Sequence, residues 1–125
     1  MHKKRPKFLD VKSIRLPIPG IVSILHRISG VALFVCLPLL LCLFAGTLSK
    51  ESAFESYQAW VNNPLVILIL IGLLWAYLHH SVAGSRCLWL DADKGWELQT
   101  ARATAKAVFV AAIVLTVVIA GVCLL

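Results

Sequence analysis

From Ile28 to Leu48 the chain runs for 21 residues without a charged side chain. A helix needs about 20 such residues to cross the hydrocarbon core of a bilayer. A backbone in lipid has no water to bond to, so a stretch of this kind must close its hydrogen bonds within itself as a helix. Pro38 lies inside the stretch and should kink it, since its ring removes one donor and crowds the preceding turn. Membrane helices tolerate such a kink when neighbours satisfy the freed carbonyl. The helix itself starts near Gly20. With 27 residues before it and so long an apolar core, it reads as a retained anchor and not as a cleaved signal peptide.

Two more spans follow. Asn62-Asn63-Pro64 closes a polar loop from Ser49 to Asn63, and Pro64 suits a first helical turn, where its missing N–H is not needed. The second helix runs from there to about Leu90. Asp91 to Lys106 forms a polar connection, and the third helix occupies about 105–125, with its apolar part from Ala107 to Leu125. The composition agrees. The 125 residues are 60% hydrophobic and 14% charged, against roughly 45–50% and about 25% in a soluble domain.

The net charge of +6 does not indicate nucleic acid, because the basic residues flank the apolar spans and do not cover one face. Lys3, Lys4, Arg5, Lys7, Lys12, Arg15 and Arg27 lie at or before the start of the first span. Lys50 alone lies in the first loop, and Arg86, Lys94, Arg102 and Lys106 surround the second. The positive-inside rule then puts the N-terminus and second loop in the cytoplasm, and the first loop and C-terminus on the opposite side. The expected fold is an all-α membrane protein with three transmembrane helices (about 20–48, 64–90 and 105–125). A basic, proline-interrupted segment, 1–19, precedes them at the cytoplasmic surface, where His2 to Lys7 would be drawn to anionic headgroups. Cys36, Cys42, Cys87 and Cys123 show no CxxC or other ligand spacing, so neither a disulfide framework nor a zinc site is expected.

Two clusters carry chemistry. After fourteen residues from Leu65 to Leu78 with no ionisable group but a tyrosine, the second helix presents His79, His80 and, further on, Arg86. Ionisable groups at membrane depth are costly and default to a functional hypothesis. At about 100° per residue, His80, Gly84 and Cys87 share a face with Ala83 beside it, whereas His79 points elsewhere. The two histidines therefore cannot ligate one iron from the same side. A histidine one turn from a glycine offers a ligand nitrogen beside bare backbone, which suits a flat macrocycle, and imidazole is a standard axial ligand of haem iron. An interhelical hydrogen bond is an equally available use for such a histidine. Arg86 can reach the interface or a propionate. Trp75, Tyr77, Trp89 and Trp96 read as interface anchors or packing.

The second cluster is Ser23-Ile24-Leu25-His26-Arg27-Ile28-Ser29-Gly30. Ser23 and Arg27 are four residues apart, with His26 between them, at the mouth of the first span. A hydroxyl, an imidazole and a guanidinium there could donate to a quinone carbonyl or pair with haem carboxylates. The alternative for Arg27 is a snorkelling, positive-inside anchor.

These residues resemble the cytochrome b membrane-anchor subunit of succinate dehydrogenase (succinate:quinone oxidoreductase), in its short proteobacterial form. Arg5-Pro6, Leu9-Asp10 and Ile14-Arg15 look like the family's N-terminal pattern. Ser23 to Gly30 is similar to its S-I-x-H-R-x-[ST]-G signature, and His80-x3-Gly84-x-Arg86-x4-Asp91 to its H-x3-G-x-R-H-x3-D signature. The resemblance implies that His80 is an axial ligand of haem b, and so the metal ligand. It implies that the second axial ligand comes from a second membrane subunit. It further implies that His26 and Arg27 contact the haem propionates and that Ser23 and Arg27 line a ubiquinone site. The expected partners are that second membrane subunit, an iron–sulfur subunit, a flavoprotein subunit and the lipid bilayer. No residue here provides for flavin or succinate, so no catalytic residue is expected on this chain. The resemblance implies the bacterial inner membrane rather than the mitochondrial one. Cys87 stands where the family has a second histidine, and His79 lies outside the motif. The rival expectations are a fumarate reductase anchor working with a low-potential quinone, and a purely structural, haem-free anchor.

Overall fold

The computed structural model describes Asp10 and residues 12–125. Arg5, Pro6, Leu9 and most of the basic N-terminal run lie outside the described residues. The described chain forms four helices: α1 (Ile18–Thr47), α2 (Glu51–Val61), α3 (Pro64–Asp91) and α4 (Leu98–Leu124). α1, α3 and α4 are each long and apolar enough to cross a membrane. At 1.5 Å per residue, the 30 residues of α1 extend about 45 Å, more than a bilayer core requires.

Local chemistry sets the helix ends. α1 begins directly after Pro17, with Pro19 in its first turn, where no N–H is required. It continues through Pro38 without a break. At its far end, Thr47 Oγ1 donates to the Phe44 carbonyl (2.6 Å), and the Ala45 carbonyl accepts from both Ser49 Oγ (3.0 Å) and the Leu48 N–H (3.2 Å), so hydroxyls and a tightened last turn share the terminal carbonyls. α3 opens as its sequence suggests: the Asn63 side chain accepts from Leu65 N–H at 2.9 Å, with Pro64 in the first turn. Between α3 and α4 the chain reverses through Asp93 (φ 56°) and Gly95 (φ 76°), both in the left-handed region. Asp tolerates that region moderately and Gly freely.

Two boundaries correct the sequence reading. The polar stretch 49–63, expected as a loop, contains the eleven-residue α2. It carries no Gly or Pro, and its Tyr57 ring packs on the bare backbone of Gly46, where a Cβ would come within 2.7 Å of Tyr57 Cδ2. The last helix begins at Leu98, not near residue 105. Leu98 to Lys106 is rich in good helix formers, and Ala105 in that segment is fully buried in the bundle. A polar composition hid a helix whose inward residues are small: Thr100, Ala101, Thr104 and the fully buried Ala105.

α3 is the central element, packed along both α1 and α4. The core near the basic ends of the helices consists of Val22, Ala83, Ala105 and Val108, flanked by Ile18, Val82 and Phe109. Ala76 and Ala112 continue it towards the other end. Small residues at these positions let backbones approach closely, which is how membrane helices associate where burying apolar surface gives no advantage over lipid. The outward faces are apolar: Val31, Phe34 and Val35 are 65–76% exposed on α1, as expected of surfaces meeting lipid or another membrane chain.

Candidate functional site

α1 and α3 cross where the two sequence clusters meet. The His26 ring, on α1, lies flat against the His80 ring, on α3, with centroids 4.3 Å apart and planes within 10°. His80 Nδ1 is 3.0 Å from the backbone carbonyl of His26 and 3.4 Å from Ser29 Oγ. A carbonyl oxygen can only accept, so Nδ1 must carry the hydrogen. The hydroxyl of Ser29 itself donates to the same carbonyl at 2.9 Å, which leaves its lone pairs for His80 Nδ1–H. In a neutral imidazole this arrangement leaves Nε2 as the basic nitrogen, and the described residues give Nε2 no hydrogen-bond partner. A backbone carbonyl on Nδ1–H is a common way to fix the tautomer of a metal-binding histidine.

Glycine makes this crossing possible. A Cβ on Gly30 would lie 2.9 Å from His80 Cε1, too close for the ring to stay where it is. A Cβ on Gly84 would lie 3.4 Å from His26 Nε2. The bare backbone at Gly84 therefore receives the tip of the His26 ring, and Gly30 makes the room for His80.

The other candidate residues separate by face. Ser23 and Arg27 are exposed on α1, whereas His26 is half-buried against α3. Arg27 borders an open apolar hollow lined by Ile28, Val31, Ala32 and Val35. His79 is fully buried where α3 meets α1 and α4, with the Val22 backbone of α1 beside it, stacked on Trp75 (5.1 Å) and tilted against Phe109 (5.6 Å). Neither of its ring nitrogens has a hydrogen-bond partner among the described residues. Its contacts among the described residues are with the aromatic rings of Trp75 and Phe109 and the Val22 backbone. Trp75 packs with it, while Tyr77, Trp89 and Trp96 are exposed.

Arg86 is committed to α4. Its Nε donates to Thr104 Oγ1 (3.0 Å) and its Nη2 to the Ala101 carbonyl (3.1 Å). Cys87 is half-buried and free. Among the described residues, no group of three His, Cys, Asp or Glu side chains gathers to hold a metal ion.

Ser29 and Gly30 are the residues whose part the sequence alone did not single out. The signal was present but ambiguous: Ser29 is three residues and Gly30 four residues beyond His26, on its side of the helix.

A bundle of three membrane-length helices, with a histidine held at the crossing of two of them, defines an all-α integral membrane protein. Residues 1–119 match the family model described as succinate dehydrogenase/fumarate reductase transmembrane subunit, and the chain belongs to that family. It is 37% identical to the succinate dehydrogenase cytochrome b556 subunit of Coxiella burnetii over 123 residues, 98% of each chain. It is 33% identical to the protein of the same name from Paracoccus denitrificans, covering 90% of this chain and 87% of the relative. The corresponding protein of Rickettsia felis is 29% identical over 95% of this chain and 93% of its own length.

Proposed function

We propose that this chain is the haem b-binding anchor subunit of a succinate dehydrogenase in a bacterial inner membrane, with His80 as one axial ligand. The observation that carries the reading is the bond from His80 Nδ1–H to the His26 carbonyl, which leaves Nε2 as the free basic nitrogen. His26 cannot be the opposite ligand, because its ring lies side by side with His80 at 4.3 Å and leaves no room for a macrocycle between them. The second ligand then comes from another membrane chain, which also fits the broad apolar face of α1 left uncovered here. The relatives' shared name, cytochrome b556, supports haem as the group. When bound, haem supplies one-electron redox chemistry inside a water-poor bilayer.

Ser23 and Arg27, exposed together on α1, are suited to donate to the carbonyl of ubiquinone at the membrane surface. Arg27 and His26 are the groups available to haem propionates, with His26 held nearest to His80. The basic residues put the N-terminus and the α3–α4 connection on the cytoplasmic side. There the subunit would dock the iron–sulfur and flavoprotein partners that oxidise succinate. The chain's own work is placement, hydrogen bonding and exclusion of water.

The test is His80→Leu in the assembled complex, read by a reduced-minus-oxidised spectrum. The b-type bands should vanish or change grossly. An unchanged bis-histidine spectrum would refute the ligand assignment, and a wild-type complex without b-type bands would make the chain a purely structural anchor. The quinone co-extracted with the complex separates succinate oxidation from a fumarate reductase using a low-potential quinone.

A further inference from the structure

Resting on the assignment of His80 as haem ligand, we infer that Ser29 and Gly30 are positioning residues that fix the tautomer and ring plane of that ligand. Three observations meet at this point of α1. Ser29 is 3% exposed, although a serine in a membrane helix can also bond its own backbone while facing outward. Its Oγ–H donates to the His26 carbonyl, and its oxygen stands 3.4 Å from His80 Nδ1 as a second, weaker acceptor. Gly30 is the only residue type that leaves the ring its place, because a Cβ there would stand 2.9 Å from Cε1 and 3.3 Å from Nδ1. Gly72 and Gly121 offer the contrast. A Cβ on either meets nothing within 4 Å, so their bare backbones hold no neighbour in place.

The consequence is electronic as well as steric. An imidazole whose Nδ1–H is held by an acceptor is a more basic ligand at Nε2, and a more basic ligand favours ferric over ferrous iron. A ring wedged against Gly30 also has a fixed rotation about the iron–nitrogen bond. The orientation of one axial imidazole plane relative to the other sets the highest g value of a low-spin ferric haem. Ser29 and Gly30 would therefore tune the potential and the magnetic signature of a haem through its ligand.

The experiment uses the whole complex, with potentiometric titration of the haem and low-temperature electron paramagnetic resonance. Gly30→Ala should keep b-type bands but raise the midpoint potential and move the highest g value, as the displaced ring loses the His26 carbonyl. Ser29→Ala should shift the potential in the same direction by less, and Ser29→Thr, which restores a hydroxyl, should return both signals to their original values. Gly72→Ala is the control and should move neither. If Gly30→Ala does not assemble, Ser29→Ala and Ser29→Thr decide the matter. Unchanged potential and g values in both Gly30→Ala and Ser29→Ala overturn the inference while leaving His80 as ligand. Persistence of the haem spectrum in His80→Leu overturns the ligand assignment first, and the inference with it.

Discussion

Arg86 invites a quantitative test, because sequence and structure suggest different uses for it. It sits in the motif beside the proposed haem ligand, where it could reach a propionate. In the fold it spans from α3 to α4, with Nε on Thr104 Oγ1 at 3.0 Å and Nη2 on the Ala101 carbonyl at 3.1 Å. A hydrogen bond from a charged donor contributes about 1.5–3 kcal/mol where it is shielded, and less where water screens it. Arg86 is half-buried. Arg86→Met keeps the apolar stem and removes both bonds, so the helix pair should lose about 2–4 kcal/mol. Thr104→Val removes one of them together with the Thr104–Ala101 contact (3.2 Å), for about 1–2 kcal/mol. The double variant should cost less than the sum by about 1–2 kcal/mol, the energy of the one bond both changes delete. Unfolding of the chain in mixed micelles with rising SDS content, followed by far-UV circular dichroism, gives the four stabilities. Additivity within about 0.5 kcal/mol would refute the bridge. So would a loss of haem in Arg86→Met with unaltered helix stability, which would assign the guanidinium to the haem carboxylates.

Two further outcomes follow from the same geometry. Ser23→Ala or Arg27→Ala should lower quinone reductase activity more than electron transfer to an artificial acceptor that bypasses the membrane site, because both side chains are exposed on α1; equal losses in both assays would make their role structural. His79→Leu should retain the haem spectrum. It should also change stability by no more than about 1.5 kcal/mol, since deleting two unpaired buried nitrogens offsets the lost stacking on Trp75 and Phe109. Loss of the haem bands in His79→Leu would move the ligand to the neighbouring histidine.

The division between His79 and His80 was legible early. Two residues 100° apart on one helix cannot serve the same iron face, and the glycine one turn from His80 marked that face as different. What that glycine does was not legible. Gly84 receives His26, and the glycine that accommodates His80 is Gly30, on another helix and 50 positions away in the chain. A close approach belongs to a pair of helices, and one helix's sequence records only that something approaches. α2 and the first two turns of α4 were missed for a related reason. Polar residues mask a helix whose inward contact is a half-buried tyrosine set on a glycine, or a few small alanines and threonines.

The sequence by itself determined the three spans and the family, because each is written in local composition or in short, ordered motifs. Spans need only length and apolarity, which the bilayer reads directly. Only the tertiary structure decided which hydrogen His80 carries. That depends on whether an acceptor or a donor from α1 stands opposite Nδ1, and it is the His26 carbonyl, a backbone atom that every residue type would supply, that stands there at 3.0 Å. The stretch from His79 to Arg86 announced that ionisable groups sit in the membrane. The packing of α3 against α1 and α4 gave them three different surroundings: His80 turned to the His26 carbonyl of α1, His79 buried against Trp75 and Phe109, and Arg86 bonded across to α4.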